Sequence, residues 1–215
     1  MDIEISNSYD LLVFLKLKNL LKNITNELWW DSAGSFEVVI SAILVQSTKW
    51  NNVKIALKNL KDYDILDLES LAKIDSLILK NLIKPCGFYN QKAIYIQNLC
   101  KNIINFFGDF ENFRDSVDRE WLLTQKGLGK ESADGILNYV CFREIMVVDR
   151  YTQKLLAKFG YEFDSYDEIQ NFLQNGIIQN YSKVVELYGY EIPLYKVYVR
   201  FHAKIVEFSK NYRAK

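Results

Sequence analysis

A pair of glycines set between two helical patterns constrains this chain more than any other feature. From Gln125 to Ala133 it reads QKGLGKESA, with Gly127 and Gly129 on either side of Leu128, and Lys130 to Ala133 opening a helix. Upstream, REWLLTQ supplies another helical stretch, and its Leu122 and Leu123 are placed to pack against Ile136 and Leu137. Helix, tight glycine turn, helix is a geometry that offers backbone N–H groups to a phosphate with no side chain in the way. The same pair equally fits a helix C-cap followed by a turn, since glycine supplies the left-handed conformation both need.

A second signal follows the hairpin. The apolar run IMVV ends in Asp149, and RYTQKLLAKFG behind it has helical spacing. An aspartate there fits an N-cap, and it also fits a carboxylate held at the edge of a partly apolar site.

The remaining pattern is helix after helix, which predicts an all-α fold. FEVVISAILVQ, from Phe36 to Gln46, is apolar nearly all round and reads as a buried central helix. Further helices are expected over 51–60, as two short pieces around Asp75 within 68–83 stopped by Pro85, and over 90–107 up to Gly108. Residues 118–125 and 130–141 flank the hairpin, 150–159 follows Asp149, and a short helix is expected around Tyr166 to Leu173. A long helix from Pro193 to about Tyr212 ends the pattern.

Composition bounds the partners. Lys plus Arg and Asp plus Glu are both 27, so the formal net charge is zero, which speaks weakly against nucleic acid. A local basic face would still suffice for a duplex. Three irregularly spaced cysteines and the acidic start MDIEISNSYD imply a reducing, cytoplasmic setting. No apolar run approaches the roughly 20 residues that span a bilayer.

Taken together, four ordered landmarks between Phe36 and Asp149 resemble the helix-hairpin-helix DNA glycosylases of the endonuclease III type. The hairpin is one. Val148–Asp149 resembles the family's Val-Asp pair before a helix, ILVQSTKW resembles the segment carrying an intercalating glutamine, here Gln46, and CGFYNQKA (Cys86 to Ala93) resembles its glycine-aromatic turn. The resemblance implies two helical lobes, Phe36–Val140 and residues 1–35 plus 141–215, with the active cleft between them. It also implies double-stranded DNA as partner, gripped by Gly127, Leu128, Gly129 and Lys130. Relatives hold a monovalent cation at the hairpin, so sodium or potassium is expected on the carbonyls of Leu123, Gln125 and Leu128.

Departures from the family narrow the reading. Glu131 stands where the lysine nucleophile belongs, and Lys130 beside it points about 100° away. No Schiff base can form at that position, so a monofunctional enzyme without lyase activity is expected. With no cysteine beyond Cys141, and Glu207 where the first cluster cysteine would stand, no iron–sulfur cluster and no required cofactor are expected. The tandem Trp29–Trp30 and the ending RFHAKIVEFSK resemble the bacterial branch that excises 3-methyladenine. That branch implies a nucleoid-associated enzyme, and a monomer suits one that wraps a bent duplex.

Each candidate residue has a chemical role and a plainer one. Asp149 would stabilise the cationic sugar or orient water, or simply cap its helix. Glu131 would attract a cationic base, or be an acidic residue favoured in a first helical turn. Trp29, Trp30 and Trp50 would stack on such a base, or pack in the core. Lys210 is a further substrate-binding candidate. His202, the single histidine, reads as structural, with no second ligand for zinc. Lys204, if buried without a carboxylate, would lose its charge and could add carbon dioxide as a carbamate. The competing functions are a glycosylase for oxidised or mismatched bases and a non-catalytic helix-hairpin-helix DNA-binding module.

Overall fold

A computed structural model describes residues 5–18, 20–21 and 28–211, and every regular element among them is helical. The expected helix end near Tyr212 lies outside the described residues. The chain forms two compact units, one built from the segments up to Asp31 and from Phe142 onward, the other from Ser32 to Cys141. It begins in the first unit with α1 (Ser8–Leu17) and crosses into the second for α2 (Phe36–Leu44), α3 (Trp50–Asp62), α4 (Leu68–Lys73) and α5 (Ser76–Leu82). After a 3-10 turn at Lys84–Cys86 come α6 (Tyr89–Phe107), α7 (Phe110–Ser116), α8 (Arg119–Thr124) and α9 (Lys130–Tyr139). It returns to the first unit for α10 (Arg150–Lys158), α11 (Tyr166–Gln179), α12 (Tyr181–Tyr188) and α13 (Leu194–Asn211).

Caps set many of these boundaries. Asp67, Asp75, Asp109 and Asp118 each accept a backbone N–H at the start of α4, α5, α7 and α8. Gly108 closes α6 with φ +86°, a conformation that favours glycine. The nine-residue α2 buries every residue but Glu37. A helix that short is marginal in isolation, so packing against α6 and α9 is what sustains it.

Lys92 ties this unit together from within. It is buried, and its ammonium donates to the carbonyls of Leu44 (2.9 Å), Gln46 (2.8 Å) and Cys86 (3.0 Å). Burial holds its pKa below the usual lysine range, with the Cys86 thiol acting in the opposite direction. Three charge-assisted bonds stabilise the buried cation and close off the C-terminal end of α2.

In the first unit, Leu11 and Leu15 of α1, Leu156 of α10, Leu173 of α11, and Phe201 and Ile205 of α13 share one apolar core. Helix α11 runs past the expected end at Leu173 because Gly176 is a packing glycine rather than a stop. A Cβ there would lie 2.2 Å from Ser8 Oγ and 2.9 Å from Ser8 N, so α1 and α11 meet at backbone distance. Ser8 Oγ donates to the Leu173 carbonyl at 2.7 Å across that contact.

Candidate active site residues

The hairpin is built as a clamp. Arg119, at the start of α8, reaches Asp134 on α9 with Nε at 2.6 Å and a second guanidinium nitrogen at 3.0 Å. Asp134 is fully buried, so this bidentate pair fixes the two helices on either side of the glycines. The turn itself closes where the Leu128 N–H donates to the Gln125 carbonyl at 3.1 Å. Leu122 packs inside, whereas Leu123 is 37% exposed and does not. Successive helical residues point about 100° apart, so α8 cannot aim both leucines at α9.

The two glycines serve different ends. Gly127 has φ +92°, and a Cβ on it would fall 2.3 Å from a Tyr95 ring carbon, so the protein's own packing demands glycine. Gly129 is the N-cap of α9 with φ −98° and ψ −177°, an extended conformation open to any residue. A Cβ there would meet nothing within 4 Å. Neither backbone strain nor internal packing accounts for a glycine at that position. Gln46 joins the same structure, its Nε2 donating to the Gly127 carbonyl (2.7 Å) and lying 3.2 Å from Ser132 Oγ. Its neighbour Ser47 takes a left-handed φ of +54°.

Other candidates in this unit are partly or fully exposed. Lys130 and Glu131 occupy the first turn of α9, with Glu131 exposed. Trp50 begins α3 and is 37% exposed. Cys86, Cys100 and Cys141 are buried, and none is in a disulfide. Among the described residues, no group of three His, Cys, Asp or Glu side chains could hold a metal. The Gln125 carbonyl accepts the Leu128 N–H, which uses one of its two lone pairs.

In the first unit, Asp149 is the N-cap of α10, and its carboxylate is nearly buried. Its Oδ1 accepts the Thr152 N–H (2.7 Å) and hydroxyl (2.9 Å). Its Oδ2 lies 3.5 Å from His202 Nε2 on α13. Burial pushes the Asp149 pKa up, but the His202 imidazole and the Thr152 donors outweigh it and hold the carboxyl below its usual range. The sequence placed His202 among structural residues; no local pattern links it to a carboxylate so distant along the chain.

Trp29 stands edge-on to the His202 ring, with centroids 5.8 Å apart and planes at 89°. Its backbone is left-handed, φ +60°, inside a three-residue turn closed by the Trp30 N–H donating to the Leu28 carbonyl at 2.6 Å. For a tryptophan that conformation costs about 1–3 kcal/mol, a strain that concentrates at functional positions. Lys210 Nζ lies 5.7 Å from the Trp29 ring centre and pairs with Glu207 at 3.0 Å. Trp30 is half-buried beside it. Lys204 is buried on α13, and burial first, then Arg200 and Lys16, hold its pKa below the usual lysine range.

Known proteins share this fold. The family of HhH-GPD superfamily base excision DNA repair proteins matches residues 40–178. A provisionally named DNA repair glycosylase of Methanocaldococcus jannaschii is 36% identical over 208 residues, covering 94% of this chain and 88% of that protein. The crystal structure of H. pylori 3-methyladenine DNA glycosylase bound to 1,N6-ethenoadenine matches with a TM-score of 0.92 and 44% identity, covering 97% of this chain and 100% of that one. A trapped endonuclease III–DNA covalent intermediate shares the fold at a TM-score of 0.74 and 18% identity, covering 97% and 88%. With the family matching well over half its length, the chain belongs to the HhH-GPD superfamily of base excision DNA repair proteins, as one of its DNA glycosylases.

Proposed function

We propose that this protein removes 3-methyladenine and similar alkylated bases from duplex DNA and leaves the strand uncut. The observation that carries the reading is Asp149, a nearly buried carboxylate pinned through one oxygen and held ionised by its neighbours. The substrate class comes from the 44% identical H. pylori enzyme, named for 3-methyladenine and bound to 1,N6-ethenoadenine. Gly129 supports a grip on DNA, because a phosphate drawn to the start of α9 is a reason for glycine that internal packing does not supply.

In this reading the base is flipped out and stacks on tryptophan, with Trp29, Trp30 and Trp50 as the candidates. Stacking returns roughly 1–3 kcal/mol against the few kcal/mol that extrusion costs. The bond from sugar to base breaks with its electron pair going to the cationic base, which departs neutral. Positive charge develops on the sugar, and Asp149 stabilises it. Water then adds to the sugar carbon and gives its proton to the carboxylate or to solvent. Glu131 offers no amine for a covalent imine, so the reaction ends at an intact abasic strand. A sodium or potassium ion on the carbonyls of Leu123, Gln125 and Leu128 would add positive charge beside a bound phosphate.

The test is incubation of the protein with methylated duplex DNA. Release of 3-methyladenine with no strand cleavage and no borohydride-trapped adduct is expected. Release from 8-oxoguanine or mismatched duplexes instead, or DNA binding without release, would hand the function to the other readings.

We also propose that Lys204 carries a carbamate. Its lowered pKa favours the neutral amine that adds carbon dioxide with loss of a proton, and Arg200 and Lys16 would stabilise the resulting anion. A native mass spectrum recorded in bicarbonate should show the adduct on wild type and not on Lys204→Met. An unmodified wild type removes the assignment.

A further inference from the structure

His202 does more than fill the core, provided Asp149 is the working carboxylate of the glycosylase reading above. Helices α10 and α13 pack together, and the contact delivers the single histidine of the chain to one oxygen of Asp149. The two oxygens are held differently. Thr152 takes Oδ1 with both its N–H and its hydroxyl, while Oδ2, the oxygen left over, has His202 Nε2 at 3.5 Å. Both residues are nearly buried, at 7% and 9% exposure. Trp29 abuts the imidazole edge-on and limits its rotation, and Trp29 is itself locked in a left-handed turn.

We propose that His202 is a positioning residue for Asp149: its ring fixes the direction of Oδ2, and Trp29 fixes the ring. A carboxylate anchored through one oxygen still swings about that anchor, and a small displacement from the reacting geometry costs rate steeply. The arrangement also links Trp29 to the carboxylate through the imidazole, so a base stacking on Trp29 and the group stabilising its sugar share one support.

Among the described residues, charged and titratable groups reach the surroundings of Asp149 from three helices. From α13 comes His202, with Lys210 beyond Trp29. From α11 comes Tyr166, whose hydroxyl accepts the Val148 N–H at 3.3 Å. On its own helix Thr152 donates, and the adjacent Arg150 is exposed. Removing the imidazole therefore leaves burial opposed by Thr152 without His202, and the acid limb of the activity profile should move to higher pH.

The experiment compares wild type, His202→Ala and His202→Gln in single-turnover release of 3-methyladenine across pH, with melting curves for each. His202→Ala should be slower by about tenfold at neutral pH and lose activity at a higher pH than wild type does. His202→Gln, which keeps an N–H donor at comparable reach, should recover most of the neutral rate. A histidine acting only as packing would give an unmoved acid limb in both variants, and that result overturns the proposal. If His202→Ala does not fold, His202→Gln decides alone: a limb above that of wild type supports positioning, and an unmoved limb overturns it. If wild type releases no base from any methylated duplex, the substrate reading fails separately. The inference is then read by carboxyl NMR, where the Asp149 titration should rise in the variants and an unchanged titration refutes it.

Discussion

Asp149→Asn should reduce base release by about 10²–10³-fold while the protein still folds and binds DNA. The substitution separates the two duties of this residue. Asparagine caps a helix about as well as aspartate, so its side-chain oxygen can keep the bond from the Thr152 N–H. What disappears is the negative charge that, in the proposed mechanism, stabilises the sugar cation. Asp149→Ala would confound the measurement, because it also removes the cap, at about 1 kcal/mol. The pH dependence gives a second reading of the same residue. The Asp149 pKa is lower in the folded state than the ordinary carboxylate value. Its contribution to stability is therefore present above the unfolded pKa and is lost as pH falls through the folded one. The amide does not titrate, so acid unfolding of the variant should lack that component. Single-turnover release alongside melting curves at several pH values checks both. Wild-type turnover by Asp149→Asn would remove Asp149 from the chemistry.

Local signals in the chain are what made so much of the fold legible. Asp75 marked the division between α4 and α5, and Gly108 marked the end of α6. Elements were missed where periodicity was faint. Helix α7 buries only Phe113 and α12 only Val184, so neither shows an apolar stripe. Helix α11 extends beyond the expected 166–173 to Gln179, through Gly176, which makes a close contact with Ser8 in space. Candidate site residues divide along the same line. Asp149 and the glycine pair carry their context in adjacent residues. His202, Lys92 and Arg119 acquire theirs from partners on other helices, at Asp149, at the Leu44, Gln46 and Cys86 carbonyls, and at Asp134. No single-sequence pattern encodes such pairings, because each depends on which helix faces which.

The two hairpin glycines should respond in opposite ways to a small side chain. Gly127→Ala puts a Cβ into the Tyr95 ring and forces alanine to φ +92°. Strain of about 1–2 kcal/mol and overpacking of about 1–3 kcal/mol both oppose it, so a drop in melting temperature and a loosened hairpin are expected. Gly129→Ser meets neither obstacle. Its backbone is extended, the space for a Cβ is open, and serine caps a helix at least as well as glycine. The folded protein should therefore melt at or slightly above the wild-type temperature. If a phosphate approaches the start of α9 closely enough to bond its N–H groups, the new side chain occupies that approach and affinity for undamaged duplex falls, by about tenfold or more for a loss of 1.4 kcal/mol. Stability kept and DNA binding lost is an outcome that a merely structural turn does not produce. A Gly129→Ser protein that binds duplex with wild-type affinity would mean that the phosphate sits elsewhere.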